Sequence, residues 1–225
     1  MTHWHWDHVF GISALDFPVI SSVETKEKVE RMATWEWDDY ALEQRVEKGI
    51  EIPFCCNMIK LEIPDRREFV LTPPQIGFES KMEIDLGNLH CVIEKVGGDH
   101  APDSSVIFVP EEKVLFLGDC LNVDIYHGDR SYSTLEVCRL VEKLSSYKAN
   151  YYIDSHNGIM LKGKMDKVFD DFLLIANLVD KHGKNTSQIK NELRWKQHRI
   201  INRRRFEIMQ AFINGLEKGI NKRNW

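Results

Sequence analysis

One stretch constrains this chain more than any other: His3-Trp4-His5-Trp6-Asp7-His8, followed by Gly11. Three imidazoles and a carboxylate crowd together before any segment that could serve as their scaffold. Neutral imidazole and carboxylate suit Zn²⁺ and its first-row neighbours, and a site needs several of them converging on one point. In an extended segment residues i and i+2 point the same way, so His3 and His5 can grip one ion. Asp7 and His8, beyond a bend, can face a second. An expression tag seldom interleaves Trp and Asp with its histidines, so metal ligation is the reading adopted.

The remaining 217 or so residues must therefore supply a scaffold and further ligands. The chain has 225 residues, 43% hydrophobic and 29% charged, which allows a substantial buried core. No apolar run approaches the roughly 18 residues of a membrane span, and no basic-then-apolar leader opens the chain. Five cysteines without a C-x-x-C pair point to free thiols and a reducing compartment, with the cytoplasm as the expectation. Residues 17–21 read as a strand, and Ser21–Glu24 has capping-box spacing that starts a helix to about Met32. A second helix is expected from Trp37 to Lys48. Residues 50–74 hold four of the seven prolines and read as extended and irregular.

From Glu79 the period turns strand-like. MEIDLGNLHCVIEKV predicts a hairpin turning at Gly87-Asn88, and SVIFVPEEKVLFLGD two buried strands joined at Pro110–Glu112. Ser133–Glu136 opens another helix, YYID is a short strand, and Ser155–Gly158 is a loop. Beyond Gly163 the chain reads as helical, with a break at 183–185. Strands interleaved with helices predict α/β layers.

Four motifs, taken in order, give this chain a wider likeness. They are H-x-H-x-D-H at residues 3–8, His100 in GGDHAPDSSVIFV, Asp119 in VLFLGDC, and His156 in YYIDSHNG. In these the sequence resembles the metallo-β-lactamase-fold hydrolase superfamily. The resemblance implies an αββα sandwich whose first strands are missing, because only Met1 and Thr2 precede His3; an N-terminally truncated chain is expected. It implies a catalytic domain, taken as 1–180; charge and helical spacing add a basic helical extension over 181–225, packed on that domain or at a dimer interface. It implies two Zn²⁺ per chain, the first held by His3, His5 and His100. Asp7, His8 and His156 would hold the second, with Asp119 bridging, and that second site would tolerate Mn²⁺ or Fe²⁺. A water shared by the ions, its pKa brought from about 15.7 to about 7, would attack a small-molecule ester, thioester, lactone or phosphoester. Asp7 and Asp119 are the carboxylates expected to serve catalysis. Where the family often has Gly-Ser after its second-motif histidine, here His100, this chain has Asp103-Ser104, which should alter loop shape rather than ligation.

His127, in a loop that borders the substrate in this family, is the candidate substrate contact. His90 reads as structural, and His182 and His198 as solvated. Asp99 is either a partner that orients a ligand histidine or a turn residue. Cys120 is expected to pack, and Trp4 and Trp6 to pack or to line a pocket mouth. Residues 181–225 carry twelve Lys/Arg against three Asp/Glu. Ile189, Leu193, Ile200, Met209, Ile213, Leu216 and Ile220 recur there at helical spacing, which predicts a docked amphipathic helix with a basic outer face. Two rivals to the hydrolase remain: a metal-dependent nuclease using the Arg203–Arg205 face, and a catalytically impaired remnant of the fold. A homodimer is compatible with the tail, no membrane association is expected, and nucleic acid is the lesser alternative as partner.

Overall fold

A computed structural model describes residues 1–196 and 200–218; His198 and Ile220 lie outside the described residues. The chain divides into two compact units, Met1–Met82 and Glu83–Trp225.

In the first unit the chain runs extended to His5, then coils through α1 (Trp6–Val9) and a 3-10 turn (Phe10–Ala14) into β1 (Ile20–Ser22). The Ser22 side chain accepts from Thr25 N–H and starts α2 (Val23–Met32), one residue later than the capping-box spacing suggested. Thr25, Val29 and Met32, at helical spacing, face inward. Asp38 caps α3 (Asp39–Glu47), and Gly49 closes it at φ +68°.

The stretch expected to be irregular contains α4 (Pro53–Glu62). Its proline occupies the first helical turn, where the missing N–H costs nothing and the fixed φ favours helix, so it starts the element rather than breaking it. β2 (Ile76–Phe78) then pairs in parallel with β1. The unit's core gathers Val9, Phe10, Ile12, Val29, Met32, Trp37, Leu42, Ile59 and Leu71.

The second unit is built on a sheet ordered β3-β4-β5-β6-β7-β8. β3 (Lys81–Asp85), which carries the chain across the division, turns at Gly87 (φ +90°) into β4 (His90–Lys95). β5 (Ser105–Val109) and β6 (Val114–Gly118) form the expected antiparallel pair, with Lys113 at φ +53° in the turn. β7 (Tyr151–Asp154) pairs in parallel with β6. β8 (Gly158–Leu161) adds an antiparallel edge strand that the sequence reading left unassigned; four residues are too short to show a period.

Helices cover the sheet with apolar stripes. α5 (Thr134–Ser146), capped by Ser133, buries Val137, Leu140, Val141 and Leu144; α6 (Lys162–His182) buries Met165, Val168, Phe169, Phe172, Ile175 and Val179. The basic tail is not one helix. It runs as α7 (Thr186–Asn191), a π turn (Glu192–Lys196), and α8 (Arg203–Glu217) under an Asn202 cap. Ile189, Leu193, Met209 and Ile213 join the core, whereas Ile200, which precedes the Asn202 cap, and Leu216, in the last turn of α8, are exposed. Phe212 is fully buried and meets the Tyr132 and Phe172 rings at 5.4 and 6.4 Å. Among the described residues no helix is long and apolar enough to cross a membrane.

Candidate metal centre

Each unit assembles its own cluster of ligating side chains. In the first, His5 ends the extended segment at φ −60°, ψ 146°, and the next residue begins α1. His8 N–H closes onto the His5 carbonyl at 2.9 Å, which is the bend the spacing implied. His3 and His5 meet edge to face with ring centroids 4.5 Å apart, and His3 and His8 lie at 4.2 Å. Ligating atoms of His3 with His5, of His3 with His8, and of Asp7 with His8 each fall within 4.8 Å of one another. Asp7 Oδ2 stands 3.5 Å from His8 Nε2.

What fixes this peptide is its downstream end. Val9, Phe10 and Ile12 are buried, and the Phe10 ring sits 4.8 Å from Trp37 and 4.7 Å from Phe69. Upstream, the Met1 amino group donates to the Ile20 carbonyl at 2.8 Å. Trp4 and Trp6 pack against the same core, Trp4 beneath the Lys28 ammonium at 4.1 Å and Trp6 beside Phe10.

In the second unit the topology explains the convergence. β6 and β7 are parallel, so Asp119 and His156, each just past a strand's carboxyl end, emerge at the same edge of the sheet. β5 runs antiparallel to β6, so His100, ahead of β5, arrives there too. His100 Nε2 lies 3.5 Å and His156 Nε2 3.0 Å from Asp119 Oδ2. Asp119 and His100 are buried; His156 is exposed. The Asp154 carboxylate accepts from the backbone N–H groups of His156 and Asn157 and from the Asn157 amide, which shapes the turn that presents His156.

His100 carries the clearest chemical information. Its Nδ1 faces the Val123 carbonyl at 2.9 Å. A carbonyl only accepts, so Nδ1 bears a proton; in the neutral ring Nε2, on the side of the Asp119 carboxylate, then carries the lone pair. A neutral imidazole nitrogen and a carboxylate oxygen 3.5 Å apart are of the donor types that can share a cation, so the residues present fit a metal, with a backbone carbonyl placed to orient the histidine.

Several of these contributors were invisible in the sequence. Gly98, at φ +126°, brings the loop so near Cys120 that a Cβ would lie 2.7 Å from the Cys120 carbonyl oxygen. That approach puts His100 against the Asp119 strand end, and the Gly97-Gly98 pair before Asp99-His100 was its signal. Val123 acts through a backbone atom and left no trace. The Asp103-Ser104 variation leaves a closed turn: Ser104 N–H donates to Ala101, and the Ser104 carbonyl accepts from Val96 and Gly97.

The single residues resolve as follows. Asp99 accepts from Ser133 N–H at 2.8 Å, ahead of α5. Cys120 is buried, and burial, then the Asp154 and Asp119 carboxylates, push its thiol upward. His90 pairs with Glu111 at 2.6 Å. His182, expected to be solvated, is held by Glu192 at 2.8 Å because the π turn brings that carboxylate back over the end of α6. His127 Nδ1 sits 2.9 Å from the buried Asp124 carboxylate, which also accepts from the Tyr126 and His127 backbone N–H groups.

A family model for the metallo-beta-lactamase superfamily matches residues 1–152, and the chain belongs to that superfamily. Its mixed α/β architecture, with a sheet and helices in each unit, is that of the family's αββα sandwich. Members of that superfamily are mostly metal-dependent hydrolases.

Among solved structures, a metallo-beta-lactamase from Pontibacter korlensis is 19% identical at TM-score 0.47, over 75% of this chain and 65% of that one. An archaeal metallo-beta-lactamase superfamily protein from Sulfolobus tokodaii is 16% identical at TM-score 0.48, over 97% and 78%. A sec-alkylsulfatase from Pseudomonas sp. is 16% identical at TM-score 0.40, over 52% and 20%. The chain thus spans a little under two thirds of the Pontibacter korlensis protein's length. No curated protein matches the chain.

Proposed function

We propose that this chain is a dinuclear metal-dependent hydrolase of small-molecule esters, thioesters, lactones or phosphoesters, with zinc as the metal. His3, His5 and His100 would hold one ion; Asp7, His8 and His156 would hold the other, and Asp119 would bridge them. Bound there, the ions would lower the pKa of a water nucleophile and polarise the substrate's carbonyl or phosphoryl oxygen. The protein's own part is orientation. The Val123 carbonyl sets the His100 tautomer, the Asp154 carboxylate shapes the His156 turn, and the buried Val9–Ile12 segment fixes the N-terminal ligands. His127, its Nδ1 held by Asp124, would present Nε2 to the substrate as a hydrogen-bonding partner.

The observation that supports this reading is the His100 ring, whose Nδ1 faces the Val123 carbonyl while Nε2 faces the buried Asp119 carboxylate. The nuclease alternative draws less support, since Arg203 pairs with Glu207 and Arg205 with the buried Asp171. Elemental analysis of protein purified without chelator tests the proposal, with about two equivalents expected. Ester, thioester, lactone and phosphodiester chromogenic substrates then form the activity panel. Less than about one equivalent, with affinity unaltered in His100→Ala, would defeat the dinuclear reading and favour the impaired remnant.

A further inference from the structure

The loop from Asp119 to Ser131 carries one candidate ligand at its start and, at Val123, the carbonyl that orients another. Something must hold that loop, because a carbonyl positions an imidazole only as well as its own backbone is fixed. The far end is closed by a two-way backbone pair between Asp124 and Ser131, at 3.1 and 3.2 Å. Behind it lies the C-terminal half of α8, which reaches the loop through Ala211, Asn214 and Gly215. The Ala211 carbonyl accepts from Tyr132 N–H at 2.9 Å, and Asn214 Nδ2 donates to the Arg130 carbonyl at 2.9 Å. Just past α8, Lys218 Nζ donates to Ser131 Oγ at 2.8 Å and to the Asp129 carbonyl, and stands 3.7 Å from the Asp124 carboxylate. Gly215 permits this closeness, since a Cβ there would lie 1.9 Å from the Tyr132 carbonyl oxygen.

We propose that Lys218 is a positioning residue for His100: it pins residues 129–131 and offsets the buried Asp124 charge, so that the adjoining Val123 carbonyl stays on His100 Nδ1. The proposal rests on the reading of His100 as a metal ligand and assigns the C-terminal helix a part in that site. Asp124 is 1% exposed; its Oδ1 accepts from the Tyr126 and His127 N–H groups and faces His127 Nδ1, while the Lys218 ammonium stands on the Oδ2 side. Without the ammonium, Oδ2 loses that charge and residues 129 and 131 lose their donor, the Asp124–Ser131 pair loosens, and Val123, one residue away, follows. His100 then loses the acceptor that fixes its tautomer, and a ligand presented in two tautomers binds metal less tightly. His127 stands on the same loop, so the clamp also governs the candidate substrate contact.

The test uses the full chain as Lys218→Met and Lys218→Arg, with His100→Ala as reference. In metal-free protein with ¹⁵N-labelled histidine, two-bond nitrogen–proton correlations report the His100 tautomer. Wild type and Lys218→Arg are expected to show Nδ1–H, and Lys218→Met averaged nitrogen shifts. Zinc competition against a chromophoric chelator is expected to show binding about tenfold weaker in Lys218→Met, and near wild type in Lys218→Arg. Lys218→Gln, which keeps a donor but not the charge, takes the place of Lys218→Met should that variant fail to fold. A His100 spectrum in Lys218→Met identical to wild type overturns the proposal, whatever the zinc affinity. If His100→Ala leaves zinc affinity unchanged, the ligand reading fails by itself, and the tautomer still decides the clamp.

Discussion

Replacing glycine by alanine inside a helix ordinarily stabilises, by up to about 1 kcal/mol, because glycine has more backbone freedom to lose. Two helical glycines in the second unit should answer that substitution with opposite signs. Gly163, in the first turn of α6, has no atom within 4 Å of an added Cβ, so Gly163→Ala should leave the melting temperature level or raise it. Gly215 in α8 is the contrary case. A Cβ there would meet the Tyr132 carbonyl oxygen at 1.9 Å and its carbon at 2.9 Å, both backbone atoms that no side-chain rotation can move aside.

The helix must retreat by more than 1 Å, against the anchoring bond from Tyr132 N–H to the Ala211 carbonyl at 2.9 Å and the packing of buried Phe212. Overpacking of this kind costs roughly 1–3 kcal/mol and a weakened hydrogen bond about 1 more. After the propensity gain, a net loss of about 1–3 kcal/mol remains. For a chain of this size that lowers the midpoint by roughly 2–12 °C. Differential scanning calorimetry of wild type, Gly163→Ala and Gly215→Ala side by side makes the comparison. A Gly215→Ala midpoint at or above wild type would refute the close docking of α8 on residues 130–132.

Three further outcomes are expected. Gly98→Ala forces a side chain into φ +126° and a Cβ to 2.7 Å from the Cys120 carbonyl, a strain of about 1–3 kcal/mol; a melting curve matching wild type would count against it. The His90 imidazole titrates above its ordinary 6.5 because of its hydrogen bond to Glu111, whose carboxyl is held below 4.5 by the same bond. The raised imidazole contributes stability below 6.5 that is lost as pH climbs through its folded value, and the depressed carboxyl contributes above 4.5 what is lost on acidification. The pair therefore acts chiefly between those values, and an NMR midpoint for His90 that does not fall in Glu111→Gln sinks the assignment. Finally, zinc at a hundredfold over its dissociation constant should stabilise the fold by about 2.7 kcal/mol, reversed by a chelator; calorimetric midpoints indifferent to both would oppose metal binding.

What the sequence disclosed and what it withheld divide along a physical line. The candidate ligands His3, His5, Asp7 and His8 stand out because metal chemistry depends on side-chain type and they fall within six positions, whereas His100, Asp119 and His156 stand out by the resemblance. The Gly87 and Pro110 turns and the Ser133 cap were legible because local backbone conformation selects those residues directly. α4 was hidden by its own proline, whose meaning changes with its place in the helix, and β8 by its brevity. The support of the site was hidden for a different reason: it is made by backbone atoms and by partners distant in the chain. The Val123 carbonyl has no side-chain signature, and the Gly98 approach to Cys120 appears only once β5 and β6 are paired. Lys218 reads in the sequence as one charge among twelve in a basic tail, and only α8 docked beside residues 129–131 gives it a distinct environment. Candidate ligands can thus be picked out by side-chain type and family likeness, whereas the tautomer of His100 is set by a contact 23 residues along the chain. Substituting Val123 would leave that carbonyl in place; moving the backbone that carries it, through Gly98, Gly215 or Lys218, is what should change the histidine.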